Sequence, residues 1–393
     1  MGAAGCANLP DTQAMLARHK AQAARFETAL GPVSAQKSAA LLAELKRKSG
    51  DIDILENLVG REFADLLLEQ QRRGIQVNLI YDSVGCFNTP RLFFDQLTQA
   101  GVAVLEFNPV NPLIAREAWS VNNRDHRKLL IVDGHTAFLG GINISSVYSS
   151  GSIVRRTVKA ATDHAVWRDT DLQIQGPVVA EFQKLFMQTW DKQHGQPLIP
   201  KAYFPALTAQ GQDMVRAVGS TPDDAYSLIY LTLISAIGNA EKQVHLTNAY
   251  FVPDPQLLTA LTDAAGRGVD VKLILPSHSD SALVFHAGRA HYADLLKGGV
   301  QLYERQGAML HAKTVVIDGV WSTVGSTNLD WRSFLDNDEI NAVILGREFA
   351  TQMSTMFSRD LKASQAIDLH AREARPLHLK LKEWMARLWA RLL

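Results

Sequence analysis

His126-Arg127-Lys128-Leu129-Leu130-Ile131-Val132-Asp133-Gly134 returns further along the chain as His311-Ala312-Lys313-Thr314-Val315-Val316-Ile317-Asp318-Gly319. Both runs read H-x-K-x4-D-G, and Gly140 and Asn143 follow the first His at the same distances as Gly325 and Asn328 follow the second. The four residues after each Lys read as a buried strand closed by an Asp-Gly turn. His and Lys two places apart in extended chain point to one face. Each Asp, at odd spacing from its His, falls off that face, where turn formation and ion pairing are its natural roles. A Lys beside a His in an apolar strand is costly unless something anionic binds there. Two such pairs suggest a phosphate.

The repeat extends to whole supersecondary units. Glu62 to Arg73 has helical spacing, Gly74 ends it, and Ile75 to Tyr81 reads as a strand; Gln256 to Arg267, Gly268 and Val269 to Leu275 do the same in the second copy. Each is followed by a helix and a Gly-led strand, Arg91 to Ala100 with Gly101 to Val104, and His291 to Lys297 with Gly299 to Leu302. Strands alternating with helices predict an α/β fold, a mostly parallel sheet flanked by helices in each of two halves. Ahead of its helix the second half has Leu228 to Ala240 and the strand Gln243 to Val252. The first half has only Gly50 to Val59 in that place, so either Ile52 to Leu58 stands in for the strand or the sheet has lost one. Pro109 to Asp125 is an insertion with loop composition beside the first motif.

These residues resemble the phospholipase D superfamily and, within it, the bacterial cardiolipin synthases. The likeness rests on the two H-x-K-x4-D runs, on Gly140 to Ser145 and Gly325 to Phe334, and on Asn78 to Gly85 and Phe107 to Pro112. It implies two phospholipase D-like repeats related by a pseudo-twofold axis with one shared active site. Residues 1–50 then form a helical lead, 51–215 and 216–375 the two repeats, and 376–393 a basic amphipathic helix.

Two imidazoles and two ammonium groups can run phosphodiester chemistry without a metal or cofactor: one neutral His attacks phosphorus, the other supplies and retrieves the proton. The candidate catalytic residues are His126, Lys128, Asp133, His311, Lys313 and Asp318, with Asn143 and Asn328 as phosphate-binding candidates. The resemblance implies that His126 is the nucleophile and His311 the acid and base; the near-symmetry of the motifs leaves that order underived. Asp169 and Glu339 occupy comparable downstream places. Each is a candidate to orient an imidazole, or else a surface ion pair.

The expected reaction is phosphatidyl transfer from phosphatidylglycerol to a lipid hydroxyl at a membrane surface rich in anionic lipid. Hydrolysis of phospholipid or nucleic acid, or an inactive membrane-bound scaffold, are the competing readings. With 40 basic and 40 acidic residues, no global field favours nucleic acid as a partner. Cys6 and Cys86 are too few for a disulfide framework or a cysteine metal site. The expected localisation is peripheral, at the bacterial cell membrane; Cys6, after Met1-Gly2-Ala3-Ala4-Gly5, resembles a lipoprotein acylation site and is a candidate lipid anchor, or else an unremarkable terminal thiol. From Leu381 the apolar residues 381, 384, 385, 388, 389 and 392 follow helical spacing, with Lys382, Arg387 and Arg391 elsewhere on the helix.

Overall fold

The computed structural model describes residues 28–31, 52–55, 61–87, 89–111, 122–143 and 167–389. The first half builds a seven-stranded sheet in the order Thr28–Gly31, Asp171–Gln175, Thr136–Gly140, Leu129–Val132, Ile52–Leu55, Val77–Asp82, Ala103–Phe107. The second half repeats that order strand for strand with Met214–Ser220, Asn337–Leu345, Trp321–Gly325, Lys313–Ile317, Gln243–Asn248, Asp270–Pro276 and Gln301–Arg305. It adds Ser364–Ala366 at the far edge.

Both sheets are mixed, where the alternation of elements predicts mostly parallel ones. The strands linked by helices pair in parallel. The motif strands join the sheets through hairpins and are antiparallel. The hairpins follow from the Asp-Gly turns: Asp133 and Gly134 have φ of 56° and 63°, Asp318 and Gly319 of 53° and 63°. Positive φ at both central residues is the turn that matches the twist of two antiparallel strands.

One open sequence alternative is resolved and one expectation changes. Ile52–Leu55 stands between Leu129–Val132 and Val77–Asp82, the position that Gln243–Asn248 holds in the second sheet, so the short segment does fill the central strand. Thr28–Gly31, expected within a helical lead ending at residue 50, instead pairs antiparallel with Asp171–Gln175, and the first half therefore begins before residue 51. A strand edge offers unpaired backbone groups that outweigh the helical spacing of a short Ala- and Leu-containing segment. The Cys6 reading, the tip of the 109–125 insertion and residues 390–393 of the C-terminal helix lie outside the described residues.

One apolar cluster ties the halves together. It joins Ile131, Leu139, Leu172 and Ile174 of the first sheet to Val316, Val324, Ile340 and Ile344 of the second, through Phe182 and Phe186 of helix Val179–Lys192 and Phe349 and Met353 of helix Arg347–Lys362. Separate clusters cover the outer faces beneath helices Arg61–Arg72 and Arg91–Gln99 on one side and Leu228–Gly238 and Pro255–Gly266 on the other. Removing a fully buried side chain such as Ile131 to Ala costs about 2–5 kcal/mol in such a core. The shared core holds the carboxyl ends of both sets of parallel strands in fixed relation.

Candidate active site

Each H-x-K segment runs extended into its strand and crosses to the opposite half on the way. The His126 amide donates to the Asp338 carbonyl at 2.9 Å, and the His311 amide to the Arg168 carbonyl at 2.8 Å. Arg124–Asp125 pairs with Asn337–Asp338, and Met309–Leu310 with Trp167–Arg168, both in parallel. The crossing brings each imidazole to the other half's carboxylate. His126 Nδ1 lies 2.9 and 3.1 Å from the two Glu339 oxygens, and His311 Nδ1 lies 2.7 Å from Asp169 Oδ2. Both acids are fully buried, which removes the surface ion-pair reading. A carboxylate at Nδ1 holds the proton there and leaves Nε2 as the nitrogen that can meet phosphorus.

Lys128 Nζ donates to its own His126 carbonyl at 2.8 Å, and Lys313 Nζ to the His311 carbonyl at 2.5 Å. The charges reach across the halves: Lys313 bears on His126 and Lys128 on His311. The four groups therefore share one electrostatic site. Burial lowers the His126 pKa, opposed by Glu339 and assisted by both lysines. Burial, with Lys313 beside it, lowers His311 to about 4 against the pull of Asp169. Burial also lowers Lys313, to about 8. For Glu339 burial acts upward, but His126 and the Ser326 hydroxyl outweigh it and the net shift is down. At neutral pH the resting site holds two neutral imidazoles under cationic groups, an environment that an anionic phosphate completes.

The halves are not equivalent. His126 keeps 25% of its side chain exposed and His311 only 6%. Trp167 tilts against the His311 ring at 4.9 Å between centroids, and Tyr250 meets it edge-on at 6.0 Å. Asn328, a phosphate-binding candidate, is buried and its Oδ1 has no hydrogen-bond partner among the described residues. Asn143, in the matching place, is half-buried.

The two Asp of the motifs stand apart from this cluster. Asp318 is in the turn at the far end of Lys313–Ile317, about 20 Å of extended chain from His311. Its carboxylate accepts the backbone amides of Glu241, Lys242 and Gln243 at 2.9, 2.8 and 2.9 Å. Asp133 occupies the same kind of turn after Leu129–Val132. Turn geometry accounts for both positions, and strand anchoring for Asp318.

Sequence reasoning missed several supporting residues. Arg127, the middle residue of the first motif, is buried and ties the halves together, donating to the Glu339 and Ser220 carbonyls and to Thr189 Oγ1. A third basic residue between His126 and Lys128, directly ahead of an apolar strand, was the available signal. Ser326 donates to Glu339 at 2.5 Å. Gly141 sits where a Cβ would come within 2.3 Å of Asp169 Oδ1, so the second glycine of the Gly-Gly pair makes room for the acid that holds His311.

The profile of the family described as "Cardiolipin synthase, PLD-like domain" matches residues 41–157 and 233–361, one segment in each half. The cardiolipin synthase of Geobacillus kaustophilus is 32% identical over 338 residues, 85% of this chain and 65% of that protein. Cardiolipin synthase 2 of Bacillus anthracis is 32% identical over 361 residues, 90% of this chain and 68% of that protein. The chain thus spans about two thirds of the length of the curated relatives it matches. Among solved structures, phosphatidylserine synthase of Haemophilus influenzae superposes with a TM-score of 0.69 over 97% of this chain and 98% of that one, at 12% identity. Polyphosphate kinase of Porphyromonas gingivalis gives 0.52 over 90% and 52%, at 11% identity, and both likenesses speak for the fold alone. With paired H-x-K motifs, a duplicated mixed α/β fold and relatives at this identity, the chain belongs to the phospholipase D-like family of bacterial cardiolipin synthases.

Proposed function

We propose that the protein makes cardiolipin by phosphatidyl transfer from one phosphatidylglycerol to the hydroxyl of another, at the surface of a bacterial membrane. The observation that carries the reading is the crossed pair of His–carboxylate contacts within one cationic site; the relatives supply the substrate class. His126 Nε2 attacks phosphorus, an N–P bond forms, and the P–O bond to glycerol breaks as His311 protonates the leaving oxygen. In the second half-reaction His311 takes the proton of the incoming hydroxyl while its oxygen bonds phosphorus and the N–P bond breaks. The products are one cardiolipin and one glycerol. The greater exposure of His126 supports its role as nucleophile, and the depth of His311 suits a group that must exchange a proton away from bulk water.

His311 must be protonated for the first step although burial holds its resting pKa near 4. The substrate's phosphodiester anion raises that value, so His311 takes up a proton from solvent as the substrate binds. Lys128, Lys313, Asn143 and Asn328 hold the non-bridging oxygens, while Asp169 and Glu339 steady the imidazolium forms. Among the described residues no helix is long and apolar enough to cross a membrane.

Purified protein in vesicles of glycerol-labelled phosphatidylglycerol should release one labelled glycerol per cardiolipin formed. Phosphatidic acid as the sole lipid product would make the protein a hydrolase. No turnover by a folded, vesicle-bound protein would remove the reading.

A further inference from the structure

Helix Leu377–Leu388 packs in the reverse of the usual sense. Its inward face carries Leu379, Glu383 and Ala386, the last two buried, while Leu377, Leu381, Trp384, Met385 and Leu388 are all more than half exposed on the opposite side. At 100° per residue these five cluster within one face, and Lys380, Lys382 and Arg387 flank it. The only acid of the helix, Glu383, is turned inward and neutralised. It accepts from Arg375 at 2.6 and 2.9 Å and from Arg372 at 2.8 Å. Every outward charge is therefore positive. A continuous apolar stripe left uncovered on a well-packed helix marks a surface that meets an apolar partner.

The helix stands one layer from the site. Ala386 packs with Val252 and Ala287, and Arg372 donates to the Arg289 carbonyl at the end of helix Ala282–Arg289. The Val252 amide bonds the carbonyl of Leu329, next to Asn328, and Tyr250 meets the His311 ring. On the His126 side, the loop after Val77–Asp82 exposes Phe87 at 77% and Val84 at 42%. Asp82 anchors that loop through the Val84 and Gly85 amides and also accepts the Asp125 amide at 3.1 Å, beside His126.

We infer that helix Leu377–Leu388, together with the exposed Phe87 and Val84 of the loop after Val77–Asp82, is a docking surface for an anionic lipid bilayer that sets the site against the headgroups. A second copy of the chain is a poorer occupant, because it would bring the same cationic flanks together. Trp384 in the helix and the exposed Trp389 just past its end, beside Leu and Lys, suit an interface between hydrocarbon and charged headgroups, and a helix of this length lies in that plane without spanning it. The purpose of the docking rests on the lipid chemistry proposed above, but the docking is measurable without turnover.

The test uses the full chain carrying His126→Ala, co-sedimented with vesicles of phosphatidylglycerol and phosphatidylcholine or of phosphatidylcholine alone. Trp384→Ser with Leu388→Ser should lower partitioning about 100-fold, and Phe87→Ser about tenfold. Lys380→Glu with Lys382→Glu should lower it about tenfold at low salt, a difference that shrinks in concentrated salt. Phe204→Ser, at the opposite end beside the Gly134 turn, should bind as the reference does. Binding of the helix variants within twofold of the reference would overturn the inference, as would a lower melting temperature with unchanged binding. Self-association through this helix with no affinity for vesicles would overturn it too. Vesicle binding without cardiolipin formation in the wild-type chain would leave the docking surface standing and remove the transferase reading alone.

Discussion

Asp169→Asn removes the anion, and the acceptor, that the crossed arrangement gives to His311. The substitution keeps the size of a fully buried side chain and the oxygen that accepts the Thr170 amide at 2.8 Å. With Oδ1 kept on the Thr170 amide, the new Nδ2 takes the place of Oδ2, 2.7 Å from His311 Nδ1, and donates there, so the anion is lost and the neutral ring is turned toward the tautomer protonated on Nε2, against the Gly141 carbonyl 3.1 Å from Nδ1. Attraction between an imidazolium and a carboxylate about 4 Å apart at an effective dielectric near 20 is about 4 kcal/mol. At about 1.4 kcal/mol per factor of ten, the lost attraction alone should lower turnover on the order of 10³-fold, and the tautomer change lowers it further. Losing the anion lowers the His311 pKa further, so the remaining activity should rise toward acid pH relative to wild type. The assay is the initial rate of cardiolipin formation across pH, with melting temperature as the control on folding. A variant that melts normally and turns over within threefold of wild type would refute the role assigned to Asp169.

Three further outcomes follow from the same geometry. Because burial places the Lys313 pKa near 8, kcat/KM should fall as pH rises through about 8 and the ammonium loses its charge; Lys313→Arg should move that limb to higher pH, and an unmoved limb would assign it elsewhere. Asp318→Ala should cost about 1–3 kcal/mol in thermal or urea unfolding by stripping three backbone amides of their acceptor, with kcat unchanged; a large activity loss at unaltered stability would restore Asp318 to the catalytic set. Gly141→Ala, with its Cβ 2.3 Å from Asp169 Oδ1, should lower both stability, by about 1–3 kcal/mol, and turnover; wild-type kinetics in that variant would show that Asp169 tolerates displacement.

Much of the fold was legible because periodicity and punctuation agree in both halves. The helix read over Glu62 to Arg73 is Arg61–Arg72, and that over Gln256 to Arg267 is Pro255–Gly266, each closed by a glycine with positive φ. The antiparallel share of each sheet was less visible, since strand pairing across a hairpin depends on the turn and not on the buried run before it. Thr28–Gly31 was misread because four residues carry too little period to separate an edge strand from a helix. The candidate histidines and acids were visible one by one, but the exchange that gives Glu339 to His126 and Asp169 to His311 depends on docking between halves, which chain order does not encode. The apolar stripe of the last helix was visible too. Its outward direction was not, because Glu383 turns inward only when Arg372 and Arg375 are folded beside it.

The central claim is that one phosphatidyl group passes through a histidine of this crossed site. Rapid alkaline quenching of the protein with labelled phosphatidylglycerol, followed by peptide mass spectrometry, tests it directly, because a phosphoramidate survives base. The label should lie on the peptide containing His126, accumulate when His311→Ala slows breakdown more than formation, and be absent in His126→Ala. Cardiolipin formation with no labelled histidine, or with label on a residue outside the two motifs, would contradict the account.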